Sequence, residues 1–155
     1  MGEHILDVVG PEPTRVVRVA DAPTGVVDVF DPTVGGDARP AVLLVHGGFW
    51  RNAYDRTHLR PLAAALAASG CPVALPEYRR VGDPGGGWPG SLDDIVELLG
   101  VVPALLGRDL AGTVIIGHSA GGHLAMLAAG RSSTNPAAVV SLAGVLDLAA
   151  ARRDG

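Results

Sequence analysis

A chain of 155 residues, 48% of them apolar, is long enough for one domain spanning residues 1–155 with a buried core, and too hydrophobic to be disordered. Its twelve basic residues are all arginine, scattered from Arg15 to Arg153, and against sixteen acidic ones they leave a net charge of −4, which argues against nucleic acid as a partner. The single cysteine, Cys71, excludes an internal disulfide; the amino terminus shows no basic leader, and no apolar run approaches the ~18 residues of a membrane span, so a cytoplasmic location away from membranes is expected.

Along the chain, short apolar runs alternate with glycine and proline punctuation. Residues 15–20 and 25–30 are short and valine-rich, and the Ala-Pro-Thr-Gly stretch at 22–25 suits a turn, so the chain should open on a hairpin. The continuous apolar run at 41–45 predicts a parallel strand covered on both faces. Leu59, Leu62 and Leu66 repeat at helical spacing ahead of Gly70, a residue suited to a left-handed helix end, and Pro61 fits if the helix starts near Thr57 or His58. Residues 72–76 read as the next strand. Ser91 and Asp94 have the spacing of a capping pair before Ile95, Leu98 and Leu99, and Gly100 with Pro103 should end that helix. Residues 113–116 read as a β-branched strand, 121–129 as a helix and 137–142 as a last strand, which makes an α/β protein with a doubly wound, mostly parallel sheet.

Two motifs carry chemistry. Gly117-His118-Ser119-Ala120-Gly121 is a G-x-S-x-G sequence between a strand and an alanine-rich helix, a context that exposes Ser119 on a tight turn as a nucleophile; the plain alternative is a glycine-rich helix start with a capping serine. His46-Gly47-Gly48-Phe49-Trp50 follows the first parallel strand, at the end where open α/β sheets bind ligands. Amides of Gly48 and Phe49, with that of Ala120, could stabilise the oxyanion of acyl transfer. Taken alone, the second motif could equally be a turn with a buried aromatic. His46, Gly47 and Trp50 support the loop, and no histidine and acid spacing matches a zinc pattern. Glu77 is expected to pair with Arg79 or Arg80, Asp93 and Asp94 to serve the helix dipole, Cys71 to be buried, and Trp50 and Trp88 to be packing anchors.

With these residues in place, the chain resembles the α/β-hydrolase superfamily, and within it the esterase branch similar to arylformamidase (kynurenine formamidase), which carries an HGG-x-W motif. HGGFW at 46–50, EYRR at 77–80, GGGWP at 85–89 and GHSAGGHLA at 117–125 carry the likeness over nearly the whole chain. The resemblance implies Ser119 as nucleophile, an oxyanion hole from Ala120 and the 46–50 loop, no cofactor, and a small ester or amide as substrate. It also implies an acid and then a histidine after the nucleophile. Only His123, Asp147 and Asp154 follow Ser119. His123 lies one turn along the same helix, where packing is expected, and Asp147 resembles a structural aspartate of the family. The chain therefore reads as the amino-terminal part of such a domain, ending near the sixth of eight strands, with the triad acid and base absent.

Three readings follow: a serine hydrolase whose relay is missing, a binding domain or pseudoenzyme that keeps the pocket, and a nucleotide-binding domain. The last is weakest, since neither glycine-rich phosphate motif nor any lysine is present. The apolar stretch at 137–146 further suggests self-association through an open sheet edge.

Overall fold

The computed structural model describes residues 10–19, 24–35 and 39–154. Strands run over Arg15–Arg18 (β1), Val26–Phe30 (β2), Ala41–Val45 (β3), Val73–Pro76 (β4), Thr113–His118 (β5) and Ala138–Leu142 (β6). They form one sheet in the order β1-β2-β4-β3-β5-β6. The opening hairpin is present, with β1 antiparallel to β2 and β2 antiparallel to β4, and the turn expected at 22–25 lies partly outside the described residues. From β4 to β6 every pairing is parallel.

Helices cover both faces. A 3-10 turn at Arg56–Leu59 leads into α1 (Arg60–Ala68), with Pro61 in the first turn, where an amide has no helical partner to lose. α2 (Gly90–Leu105) and α3 (Ala120–Arg131) pack on the opposite face, and α4 (Leu148–Asp154) follows β6. Side chains of β3 divide between two cores, because alternate residues of a strand point to opposite faces. Leu43 and Val45 join Ile95, Leu98, Ile115 and Leu124 under α2 and α3, whereas Val42 and Leu44 join Leu59, Ala63 and Leu75 under α1. All five residues of β3 are buried, as a strand covered on both faces requires. Among the described residues no helix is long and apolar enough to cross a membrane.

Several sequence expectations are corrected. α2 does not end at Gly100 or Pro103 but runs through both to Leu105. Burial of Leu98, Leu99, Val102 and Leu106 against the sheet outweighs the intrinsic cost of glycine and proline in a helix. Ser91 and Asp94 do not cap that helix, which begins on Pro89 without a side-chain cap. The Ser91 hydroxyl donates to the Arg79 carbonyl, and Asp94 takes the Arg79 amide at 2.8 Å and its guanidinium at 2.6 Å, so both tie the segment after β4 to α2. Asp94 is thus an ion-pair partner more than a dipole residue. β6 pairs with β5 alone among the described residues, and its residues are exposed or half-buried.

The register places the two motifs side by side. Val45 lies opposite Gly117 across the β3 and β5 pair, so both strands reach the same edge of the sheet together, and the 46–50 loop and Ser119 emerge there as neighbours. The chain leaves β3 towards β4 on one side and returns to β5 on the other, which makes this the crossover crevice where open α/β sheets hold their ligands.

Candidate active site

Ser119 sits between β5 and α3 with φ 52° and ψ −119°, a conformation that non-glycine residues avoid and that persists only where the surroundings impose it. Its amide donates to the Leu142 carbonyl at 2.9 Å, and its carbonyl accepts the Gly122 amide at 2.9 Å. The flanking glycines are steric necessities. A β-carbon on Gly117 would lie 2.3 Å from the Gly121 carbonyl oxygen, and one on Gly121 would lie 2.2 Å from that of Val45. Ala120 is the first residue of α3, where amides have no intrahelical acceptor and can serve a ligand.

Opposite Ser119, the 46–50 loop holds three consecutive positive φ angles, 110° at Gly48, 54° at Phe49 and 58° at Trp50. The Arg51 amide closes the turn on the Gly48 carbonyl at 2.9 Å, while Val81 donates to Trp50 and receives Asn52, stitching this loop to the one after β4. Gly47 directly touches the sharp turn at Ser119 between β5 and α3, the elbow of the site: a β-carbon there would meet the His118 carbonyl oxygen at 2.7 Å and the Ser119 β-carbon at 3.0 Å. The sequence-predicted residues His46, Gly47, Gly48, Phe49, Trp50, Ser119 and Ala120 are therefore brought to one crevice.

Beneath the loop lies an ionic cluster that the sequence pattern does not announce. His46 is fully buried, with Nε2 at 2.6 Å from Glu77 Oε1 and Nδ1 at 2.8 Å from the Gly47 carbonyl. Each ring nitrogen thus faces an oxygen that can accept a hydrogen bond, which fixes the orientation of the imidazole. Tyr78 stacks on the imidazole at 4.4 Å and donates its hydroxyl to the His46 carbonyl at 2.9 Å; burial raises the pKa of that phenol. Glu77 also accepts the Arg56 amide and pairs with Arg80 at 3.1 Å, while Arg56 and Arg60 grip the buried Asp28 at 2.9 and 2.8 Å. The expected partner Arg80 is thus found, and Arg79 goes to Asp94 instead. Burial pushes the Glu77 carboxyl up, but the hydrogen bond from His46, the charges of His46 and Arg80 and the Arg56 amide together hold it below the ordinary value.

His58, which no motif marks, stands edge-on to both His46 and His118, with ring centroids 5.8 and 6.3 Å away. Desolvation lowers its pKa despite the hydrogen bond of Nδ1 with the Asp55 carbonyl. His123 packs edge-on against Trp50 at 5.6 Å, and Asp147 Oδ1 accepts the Ala150 amide at the start of α4. Trp88 is not the packing anchor the sequence suggests. It is 69% exposed, beside Arg131, and with Phe49, Trp50 and Leu148 it borders an apolar cavity of about 320 Å³. Among the described residues no group of three His, Cys, Asp or Glu side chains could hold a metal.

These shifts set an acid limit. A histidine whose pKa is depressed on folding takes up its proton more readily when unfolded, so stability falls as pH drops through the ordinary value of 6.5 for His58. Glu77, depressed in the folded state, contributes stability that is intact above its ordinary value of 4.5 and lost as pH falls further towards its folded value. Urea midpoints measured between about pH 7 and pH 3 should decline in two stages, and Glu77→Gln should flatten the second. An unchanged second stage in that variant would place the acid-sensitive group elsewhere.

Comparison with known proteins agrees with this architecture. The family model described as BD-FAE matches residues 27–153. No curated protein matches the chain. Among solved structures, esterase B from Lactobacillus rhamnosis, inhibited by a tributyrin phosphonate, superimposes with a TM-score of 0.67 at 25% identity, over 88% of this chain and 51% of that one. Butyrate-bound esterase 2 from the planctomycete Thermogutta terrifontis gives 0.65 at 22% identity, over 77% and 49%. The Francisella virulence factor BioJ gives 0.70 at 18% identity, over 89% and 46%. The last two superimpose on the six-stranded, mostly parallel sheet of this chain and show likeness of fold alone. The chain spans about half the length of the solved structures it matches.

Proposed function

The chain belongs to the BD-FAE family, and on that premise we propose that it carries the nucleophile and oxyanion hole of a serine hydrolase acting on small carboxylic esters or amides. Ser119 Oγ bonds to the acyl carbon as its hydroxyl proton passes to solvent water, and the carbonyl oxygen, taking up the π electron pair, accepts hydrogen bonds from the amide of Ala120 and from the 48–49 segment of the opposing loop. Donors fixed in advance in this way are worth about 3 kcal/mol each to such a transition state. His46 and Gly47 hold the loop, and Trp50 seats it on the core. The finer likeness to arylformamidases rests on the HGGFW and GHSAGGHLA sequences. No general base or acid is assigned among residues 1–155: His123 is packed on Trp50, and Asp147 is spent on α4.

The observation that carries the reading is the strained backbone of Ser119 wedged between glycines that cannot bear a β-carbon, directly against Gly47. A fluorophosphonate probe followed by peptide mapping tests it. Modification is expected at Ser119 alone and is lost in Ser119→Ala. Turnover of activated esters by this chain should stay near the residual ~10³–10⁴-fold over water that an oxyanion hole and binding leave when a triad is incomplete. Modification at another serine, or modification that survives Ser119→Ala, refutes the assignment.

A further inference from the structure

The apolar cavity beside the elbow holds one polar side chain with hydrogen-bonding capacity to spare. Its walls come from the 46–50 loop, the loop between β4 and α2, and α2, α3 and α4, and the largest side chains among them are Phe49, Trp50, Trp88, Leu92, Leu124 and Leu148. Two polar side chains join them, Ser91 and His123. Ser91 is committed, donating to the Arg79 carbonyl and accepting the Gly87 amide. His123 is not. Its Nδ1 is covered and has no hydrogen-bond partner, while the ring as a whole is only partly buried and lines the cavity.

That asymmetry fixes the tautomer. A covered nitrogen without an acceptor is poorly placed to carry hydrogen, since orphaned buried N–H groups are rarer than under-satisfied acceptors. The proton of the neutral ring therefore belongs on Nε2, which becomes a donor. Protonating both nitrogens would strand an N–H at Nδ1, in keeping with the lowering of the His123 pKa by desolvation.

We propose that His123 is a specificity-determining residue, its Nε2–H selecting ligands in which an uncharged aromatic or aliphatic group carries one hydrogen-bond acceptor, such as a ketone or ether oxygen. The inference rests on the reading of the crevice as a substrate site, and it adds a preference that the nucleophile and oxyanion loop do not set. An apolar wall discriminates weakly between isosteres, whereas a fixed donor in such a wall favours the partner that satisfies it.

The two tryptophans of the chain, Trp50 and Trp88, both line this cavity, so intrinsic fluorescence reports its occupancy without catalysis. Acetophenone and cumene are near-isosteric and differ in the carbonyl oxygen. Titrated into the full chain, acetophenone should bind roughly tenfold more tightly, the factor expected of one net hydrogen bond. His123→Phe keeps a ring against Trp50 and should bring the two dissociation constants within about twofold, and His123→Gln, which can donate from its amide, should restore part of the preference. Failure of phosphonylation at Ser119 would count against the nucleophile and leave the His123 result standing. Equal binding of the two ligands by the wild-type chain, absence of binding by either, or a preference that survives His123→Phe overturns the proposal.

Discussion

Replacing Glu77 by alanine is expected to cost about 3–5 kcal/mol of folding stability, the range for removing one partner of a buried ion pair. The cost is high because the carboxylate answers several donors at once: His46 Nε2, the Arg56 amide and guanidinium, and the Arg80 guanidinium. Without it, the buried His46 ring loses the acceptor at Nε2, and Arg56 and Arg80 are left with Asp28 and Asp83 alone as acidic partners. The effect should also reach the crevice, since His46 begins the 46–50 loop and donates to the Gly47 carbonyl. Glu77→Ala should therefore slow phosphonylation of Ser119 even under conditions where the variant is fully folded, and Glu77→Gln, which keeps an acceptor for His46 but no charge, should fall between the two. Urea denaturation and labelling rates read the two effects separately. A loss below about 1 kcal/mol would show that Arg56, Arg80 and His46 find other partners, and would remove this cluster from the account of what holds the loop.

The fold was legible where burial and period coincide. The run at 41–45 could be read as a two-sided strand because β3 lies between β4 and β5 under helices on both faces, so every residue in it is apolar. β6, a similarly apolar run with Ser141 in it, is the outer strand of the described sheet, and its residues are exposed or half-buried. Gly100 and Pro103 misled because local propensity is a weak prior, and the burial of Leu98, Leu99 and Val102 on the same helix decides against it. In the crevice, the two glycine motifs were legible because steric need leaves its mark in the sequence. The His46 and Glu77 pair joins residues 31 apart, and His58 meets His118 across 60 residues of chain; neither contact has a local pattern. Ser91 and Asp94 show the opposite failure. Their spacing imitates a helix cap, but their partners lie on the loop after β4, and only the folded chain reveals that.

Gly121→Ala and Gly100→Ala make the same chemical change in two helices and are expected to move stability in opposite directions. At Gly100, on the exposed side of α2, an added β-carbon meets nothing within 4 Å, so the gain in helix propensity of about 1 kcal/mol should appear almost undiminished. At Gly121, in the first turn of α3, the same atom would lie 2.2 Å from the Val45 carbonyl oxygen and 2.4 Å from that of His46. Both are main-chain atoms, that of Val45 at the end of β3 where it lies opposite Gly117 of β5 and that of His46 just beyond, where the Tyr78 hydroxyl donates to it, and neither can swing aside as a side chain could. Relief requires α3 to lift away from β3, and because Ser119 precedes that helix by one residue, the elbow must move with it. A cost of about 3 kcal/mol, at the upper end for overpacking a core, is therefore expected, together with a loss of Ser119 phosphonylation larger than the fraction unfolded explains. Thermal melts of the two variants, paired with labelling at a temperature where both are folded, separate a simple destabilisation from a displaced Ser119. If Gly121→Ala melts with Gly100→Ala and labels at the wild-type rate, then α3 does not press on β3 as closely as the elbow requires, and the close approach that holds Ser119 in its strained conformation has to come from Gly117 alone.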